Sequence, residues 1–184
     1  LVTHHWGGNW MKGFDIYNKI DEMLNDRFWS SRISFTYIGN LPKGFLFKNV
    51  KYIKPLNDLK LAAELKKHHV YLTASINEPG GNHQNEGAMC GLPLLYRDSG
   101  CLPEYCNGYG IMFNSENFIS SLNKMRKDYK LYIDKMKKYP NNSNFTSLKY
   151  FDLFNDLVSN NIILHDNRRF FRHPLKTIKS IFVM

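Results

Sequence analysis

Short apolar segments alternate with amphipathic segments along most of the chain, and this alternation restricts the fold more than any other feature. The predicted strands are residues 1–5, 33–38, 50–53, 69–73, 93–96 and 109–113. The predicted helices, read from apolar residues three or four apart, are residues 12–28, 57–67, 82–90, 118–136 and 148–158. Such alternation is typical of a parallel sheet with helices on both faces. We therefore expect an α/β fold that binds ligands at the carboxyl ends of its strands.

Two Gly-Gly turns each follow a predicted strand and precede a predicted helix, so both belong at this ligand-binding edge. They are Gly7-Gly8 and Gly80-Gly81. Glycine lets backbone N–H groups approach an anion closely, and a helix N-terminus favours phosphate. The second turn opens the helix that starts near Asn82, and the first is followed by Lys12, whose charge can act on the same anion. The two turns together predict a diphosphate site.

Two glutamates flank the second turn, with seven residues between them, in the stretch SINEPGGNHQNEGAMCGLPLLY (75–96). Glu78 falls at the end of a strand and is expected to face the cleft, whereas Glu86 lies about one turn into the following helix. An acid near a helix start also stabilises the helix by itself. Carboxylates repel phosphate but accept hydrogen bonds from hydroxyl groups. A nucleotide sugar, which carries both phosphates and hydroxyls, matches the turns and the acids together.

The same stretch resembles the motif S-x-x-E-P-F-G-x-x-x-x-E-A-M-A-C-G-x-P-V of the retaining glycosyltransferase group 1 family (family 4), which includes glycogen, sucrose-phosphate and lipopolysaccharide mannosyl transferases. The similarity continues through DSGCLPEY (98–105) and GYGIMF (108–113), and WGGNWMKGFD (6–15) is similar to the family's Gly-rich loop. The resemblance covers about residues 1–115. It implies one half of a GT-B fold, in which two Rossmann-like domains face each other across a cleft. This chain resembles the C-terminal, donor-binding domain.

The resemblance also implies roles for individual side chains. Lys12 would bind the donor diphosphate, with help from Gly7 and Gly8. Glu78 would contact the transferred sugar near the reacting carbon, and Glu86 would take the ribose hydroxyls. Lys12 and Glu78 are thus the expected catalytic residues.

Backbone contacts follow from the same resemblance. N–H groups from Gly81 to His83 would hold sugar hydroxyls or phosphate, and Gly80 would belong to the same donor-binding turn. Ile53, Lys54 and Pro55 would lie beside the base. The family needs no obligatory cofactor or metal, because positive side chains and helix dipoles stabilise the leaving diphosphate. We expect a UDP- or GDP-sugar as the donor.

Several positions depart from the family's pattern. Gly80 and Gly81 replace Phe-Gly, and Asn82 and His83 replace the apolar pair that usually follows. His83 either donates to a sugar hydroxyl or phosphate or serves only as a capping or solvent-facing residue. Gly87 replaces an alanine after the second glutamate, which predicts closer packing of that helix. The arginine that usually stands before K-G is absent.

The formal net charge of +9, with excess in residues 124–138 and 168–179, favours an anionic partner. We expect a nucleotide-sugar-binding domain at residues 1–164. A basic, aromatic tail at 165–184 either crosses to a missing N-terminal acceptor domain or contacts a membrane surface. The chain has no run of about 18 apolar residues, and we expect its three cysteines to be free thiols. These features predict a cytoplasmic location, peripheral if the tail binds lipid. The opening residues read as the inside of a larger protein.

Two other functions compete with glycosyl transfer. A nucleotide-sugar epimerase could use the same fold, and a basic, non-catalytic module could bind nucleic acid through its charge and aromatic residues. A two-carboxylate glycosidase fits poorly, since acids so close to phosphate-type turns serve hydrolysis badly. An isolated donor domain is expected to bind nucleotide but to transfer little sugar, because the acceptor site is missing.

Overall fold

The computed structural model describes residues 1–159. The chain divides into two compact units, Leu1–Asn142 and Ser143–Met184. The predicted domain boundary at residue 164 and the predicted tail at 165–184 lie outside the described residues.

The larger unit is built on a parallel sheet, with six strands in the described residues. The strands are β1 (Val2–His5), β2 (Thr36–Gly39), β3 (Lys51–Ile53), β4 (Tyr71–Thr73), β5 (Leu94–Arg97) and β6 (Gly110–Phe113). They lie in the order β3-β2-β1-β4-β5-β6. The chain therefore builds outward from β1 in one direction and then from β4 in the other. This is the strand order of Rossmann-type sheets, so the predicted fold class is confirmed.

Helices cover both faces of the sheet. Those of the larger unit are α1 (Phe14–Met23), α2 (Arg27–Ser30), α3 (Asp58–Leu65), α4 (His83–Met89), α5 (Leu102–Cys106) and α6 (Phe118–Met136). Buried side chains of α1 and of most of α6 share one core cluster. Buried side chains of α3, α4 and α5 share the other cluster. The sheet thus separates two hydrophobic layers.

The strands supply both layers because neighbouring residues of a strand point to opposite faces. Leu72 and Leu95 belong to the α1–α6 cluster, whereas Tyr71 and Leu94, one residue earlier in each strand, belong to the other. All four side chains are fully buried. Strands buried on both faces explain why the sequence shows continuous apolar runs here rather than alternation.

The smaller unit contains one described helix, α7 (Ser143–Ser159). It starts earlier than the predicted 148–158 segment. None of the helices in residues 1–159 has the length and apolar character needed to cross a bilayer.

The predicted helix at residues 12–28 is the main error in the secondary-structure prediction. The structure has three separate elements here instead of one helix. A 3₁₀ turn (Trp10–Lys12) is followed by α1, and a break after Met23 separates α1 from the short helix α2. Asp26 separates the two helices because its side chain accepts a hydrogen bond from the Phe28 N–H at 2.8 Å, which caps α2. The short helix α5 was not predicted. It follows the loop at 98–101, where the sequence has no helical periodicity to read.

A buried carboxylate holds the loop that leads into β3. Asp21 is 4% exposed and accepts backbone hydrogen bonds from Lys48, Asn49 and Val50 at distances of 2.7–3.1 Å. The Asn49 side chain returns a hydrogen bond to the Asp21 carbonyl at 2.8 Å. One side chain of α1 therefore satisfies three consecutive N–H groups that have no strand partner of their own.

We expect Asp21→Ala to lower the free energy of unfolding by about 2–4 kcal/mol, since it leaves several donors of one loop without an acceptor. Urea unfolding followed by circular dichroism measures the change. The exposed neighbour Glu22→Ala is the matched control and should differ little from wild type. Equal stability of the two variants would show that solvent satisfies the loop as well as Asp21 does.

Candidate functional site

The two central strands, β1 and β4, lie side by side where the strand order reverses. The first Gly-Gly turn follows β1, and residues 75–83 follow β4. Both loops therefore leave the sheet at its carboxyl edge. The Ile76 N–H donates to the Met11 carbonyl at 2.7 Å, so a backbone hydrogen bond joins the two loops. A crevice at this position is where Rossmann-type sheets bind their ligands.

Lys12 and Glu78 form an ion pair across this junction. The Lys12 Nζ lies 2.8 Å from the Glu78 Oε2, and the two side chains are 26% and 6% exposed. A buried carboxylate needs a compensating charge, and here the charge comes from the other loop. The structure thus brings together the two residues that the sequence predicts to be catalytic. The Lys12 ammonium reaches the crevice and carries positive charge to its rim.

The turn at residues 80–81 packs against the Glu78 side of the crevice. A Cβ added to Gly81 would lie 2.7 Å from the His83 Nδ1 and 2.9 Å from the Glu78 Cδ, so a larger residue here would displace one of these side chains. Asn82 precedes α4, and its side chain makes no capping hydrogen bond. Since α4 has only seven residues, its dipole contributes little beyond its first turn. Lys12 supplies the cationic side chain at this junction, where it is paired with Glu78.

The first Gly-Gly turn is also closely packed. A Cβ on Gly7 would lie 3.3 Å from the Lys12 Cε, and one on Gly8 would lie 2.6 Å from the Leu41 carbonyl oxygen. The turn therefore fits between the Lys12 side chain and the loop that follows β2. This packing fixes the path of the chain between β1 and Lys12.

His83 is a buried, neutral histidine at the start of α4. Its Nε2 lies 2.7 Å from the Thr73 Oγ1 at the end of β4. Burial, assisted by the charges of His4 and Lys12, lowers the pKa of His83 from its ordinary value of 6.5 to about 3. Its neighbour His5 also has a pKa well below the ordinary value, mainly because it is buried. His83 can therefore serve a ligand as a neutral hydrogen-bonding group and not as a cation.

Glu86 occupies a different environment from Glu78. Its side chain is 50% exposed, and its Oε2 lies 2.6 Å from the Nε2 of the buried His4. That hydrogen bond holds the pKa of the Glu86 carboxyl below its usual value, against the smaller opposing effect of partial burial. Glu86 is thus an ionised carboxylate that accepts hydrogen bonds at the edge of the crevice.

Glu86 also lines a cavity of about 650 Å³ between α3, α4 and the end of β1. Trp6, Leu56 and Met89 supply apolar wall, which gives the cavity the mixed lining typical of small-molecule sites. None of the three residues predicted to lie beside a base, Ile53, Lys54 and Pro55, is part of this wall. Pro55 lines a neighbouring cavity of about 500 Å³. Leu56, which follows Pro55 directly, lines both cavities, so the predicted segment ends at the wall.

Sequence reasoning missed four residues of the site. His4 and Thr73 hold Glu86 and His83, Trp6 lies beside Glu86 in the cavity, and Asp58 lies on the opposite wall. Asp58 also has a backbone φ of 49°, an uncommon conformation for a residue with a side chain. Polar residues at the ends of two central strands could have pointed to His4 and Thr73. Nothing in the sequence distinguishes Trp6 from other exposed aromatic residues.

The fold is similar to those of three solved glycosyltransferases of the GT-B class. The catalytic domain of starch synthase IV from Arabidopsis thaliana, bound to ADP and acarbose, has a TM-score of 0.62 and 15% identity, covering 86% of this chain and 38% of that one. TarM has a TM-score of 0.58 and 16% identity, covering 84% and 35%. The pneumococcal O-GlcNAc transferase GtfA, in complex with UDP and GlcNAc, has a TM-score of 0.56 and 16% identity, covering 75% and 32%.

The comparison defines the class of fold. The chain has a Rossmann-like α/β fold similar to part of these GT-B enzymes, and it spans about a third of their length. No protein-family model and no curated protein matches the chain. Within residues 1–159, no group of three histidine, cysteine or acidic side chains is arranged to hold a metal ion.

We expect acid to destabilise the fold through His83. An unfolded histidine binds a proton below its ordinary pKa of 6.5, whereas folded His83 stays neutral down to about pH 3. Protonation therefore favours the unfolded state as the pH falls through this window, by roughly 1.4 kcal/mol per pH unit for each such histidine. The free energy of unfolding is measured with urea between pH 7 and pH 4.5 and plotted against pH. In His83→Gln the slope of this plot should be smaller by the equivalent of about one bound proton. The exposed His69→Gln is the control, and an unchanged slope in His83→Gln would contradict this assignment.

Proposed function

We propose that this chain binds a nucleotide-diphospho-sugar and forms the donor-binding half of a retaining glycosyltransferase. The observation that supports this most is the grouping of Lys12, Glu78 and Glu86 at one edge of the sheet, beside a cavity of about 650 Å³. A nucleotide sugar requires a cation for its phosphates, acceptors for its hydroxyl groups and an apolar surface for its base. Two of the solved proteins of similar fold hold a nucleotide, ADP in starch synthase IV and UDP in GtfA.

The parts of the proposed ligand lie along the edge of the sheet in the same order as these groups. The nucleoside occupies the cavity lined by Trp6 and Met89, where Glu86 accepts hydrogen bonds from the ribose. The diphosphate lies at Lys12, and the transferred sugar lies at Glu78. Backbone N–H groups of the turn at 80–83 then face phosphate or sugar oxygens. The proposed donor is a UDP- or GDP-sugar.

The chemistry asked of these residues is mainly electrostatic. As the bond between sugar and phosphate breaks, negative charge builds on the departing diphosphate and positive charge on the anomeric carbon. Lys12 stabilises the diphosphate, and Glu78, held 2.8 Å from Lys12, places a carboxylate near the reacting carbon. The neutral His83 donates or accepts a hydrogen bond without adding a competing charge. No metal is needed for these steps.

The partner implied by this proposal is an acceptor-binding domain that completes the cleft. A glycan or a lipid-linked molecule is the acceptor class we propose, and a cytoplasmic enzyme, attached to a membrane surface where the acceptor is lipid-linked, fits such a reaction. On its own the chain binds donor but transfers poorly.

The two competing functions find less support. An epimerase on the same fold would not need the motif of residues 75–96 that resembles glycosyltransferases. A nucleic-acid module would use the exposed cations of α6, such as Lys124 and Lys130, rather than the crevice. Neither alternative accounts for the Lys12–Glu78 pair beside a cavity lined by a second carboxylate.

Direct titration tests the binding proposal. We expect one of UDP, GDP or ADP to bind this chain in calorimetry, and single-stranded oligonucleotides to bind weakly and only at low salt. Lys12→Met should weaken nucleotide binding at least about tenfold, the effect of losing one charge-assisted contact to phosphate. Lys124→Met removes the same charge from the exposed face of α6 and should leave binding unchanged. Tight oligonucleotide binding without nucleotide binding would overturn the proposal.

Catalysis provides a second test, in the enzyme that includes the acceptor domain. Lys12→Ala should lower the rate of sugar transfer at least about a hundredfold, because it removes a positioned group that stabilises the leaving diphosphate. The rate is measured from release of the nucleoside diphosphate, with thermal unfolding as the check that the fold survives. Wild-type turnover in a folded Lys12→Ala enzyme would remove Lys12 from the mechanism.

A further inference from the structure

Hydrogen bonds link three side chains in series, from the core to the edge of the cavity. The three side chains come from three different elements. Tyr71 of β4 is fully buried, and its hydroxyl lies 3.0 Å from the Nδ1 of His4 at the end of β1. The other ring nitrogen of His4, Nε2, lies 2.6 Å from the Oε2 of Glu86 in α4. The side chains of His4 and Glu86 are 5% and 50% exposed. Of these three side chains, only Glu86 is substantially exposed to solvent.

The donor in the hydrogen bond to Glu86 follows by elimination. Glu86 is ionised, because its hydrogen bond to His4 lowers its pKa, and a carboxylate only accepts hydrogen bonds. His4 must therefore donate through Nε2. The Tyr71 hydroxyl accepts from the His4 backbone N–H at 3.2 Å, and burial raises its pKa well above the ordinary value, so it keeps its own proton. The structure offers that hydroxyl two partners, the His4 Nδ1 at 3.0 Å and the His4 carbonyl at 3.3 Å, so Tyr71 holds both the ring and the backbone of His4.

The packing of α4 is independent evidence that Tyr71, His4 and Glu86 are held in a fixed arrangement. A Cβ on Gly87 would lie 2.3 Å from the Cγ and the Cδ2 of Tyr71. The aromatic ring thus occupies the space that a side chain at residue 87 would need. Because Gly87 directly follows Glu86, the same contact places the Tyr71 hydroxyl beneath His4 and sets the backbone that carries Glu86.

We propose that Tyr71 and His4 are positioning residues that hold the Glu86 carboxylate ready to accept the ribose hydroxyls of the donor nucleotide. This inference rests on the proposed function, in which Glu86 contacts the ribose. The hydrogen bond from His4 engages Oε2 and leaves Oε1 for the ligand. A half-exposed glutamate has several rotamers, and ordering it before the ligand arrives removes an entropic loss from binding. The pair of residues thereby favours ribonucleotides over nucleotides that lack the hydroxyls.

The test is the ratio of the dissociation constants for a 2′,3′-dideoxynucleoside diphosphate and for the ribonucleoside diphosphate of the same base. The base is the one among UDP, GDP and ADP that the wild-type chain binds most tightly. We expect a wild-type ratio of at least about tenfold, the effect of one or two hydrogen bonds to a charged acceptor. In His4→Phe the ratio should fall to about twofold or less, with the affinity for the dideoxy compound nearly unchanged.

Two conservative variants separate positioning from folding. In His4→Gln the amide nitrogen can replace Nε2 as the donor to Glu86, so this variant should regain much of the lost ratio. Tyr71→Phe keeps the ring and removes only the hydroxyl, and it should lower the ratio by severalfold, which tests the inference even if His4→Phe does not fold. The matched control is Tyr139→Phe, which removes another buried hydroxyl that bonds α4, at the Asn85 Oδ1. It should keep the wild-type ratio.

The outcomes distinguish this inference from the proposed function. If the wild-type chain binds none of the three diphosphates, the proposed function fails first. If it binds and discriminates, but Tyr71→Phe and the folded His4 variants keep the full ratio, Tyr71 and His4 do not position Glu86. An equal loss of affinity for both nucleotides would likewise overturn the inference, because it would show a structural role without selectivity for the hydroxyls.

Discussion

The candidate site depends on one adjacency, that of β1 and β4 in the middle of the sheet. The strand order reverses between them, so no crossover helix closes the edge where both strands end. The loops that leave this edge are tied by a backbone hydrogen bond from Ile76 to Met11 and by the Lys12–Glu78 ion pair. A lysine that is distant from Glu78 in sequence thus becomes its counter-ion. The other groups of the site are arranged around this junction.

The two glutamates of the sequence motif, Glu78 and Glu86, lie in different environments. Glu78 is nearly buried and paired with the Lys12 ammonium, whereas Glu86 is half exposed and bonded to a histidine ring. The first arrangement suits a carboxylate that must stay fixed and charged close to a reacting centre. The second suits one that must meet a ligand arriving from solvent. The structure therefore gives the two acids different environments, which their positions in the sequence do not show.

Much of the fold follows from the sequence because its signals are local. Buried parallel strands read as short apolar runs, and the stripe of α6 recurs at helical spacing, so both are predicted well. The segment 12–28 is not, because apolar residues continue past the end of α1 at Met23 and into α2, which starts anew at its cap Asp26. Lys12, Glu78 and Glu86 are accessible to sequence reasoning through the motif that holds them. His4 and Thr73 stand out only as polar residues at the ends of central strands, and the sequence does not show which groups they bond, because a hydrogen bond between distant elements leaves no periodic trace. Their roles follow only from burial and geometry.

The close packing of Gly87 against Tyr71 limits the order in which these positions can change during evolution. A methyl group cannot be added at residue 87 while the tyrosine ring lies against it, because the ring atoms that it would meet are held by the sheet and not by a free side-chain end. The ring must first be exchanged for a smaller residue, which removes the hydroxyl beneath His4. Related chains should therefore divide into two lineages, one with glycine and tyrosine and one with alanine and a small strand residue. Intermediates that combine alanine with tyrosine should be rare.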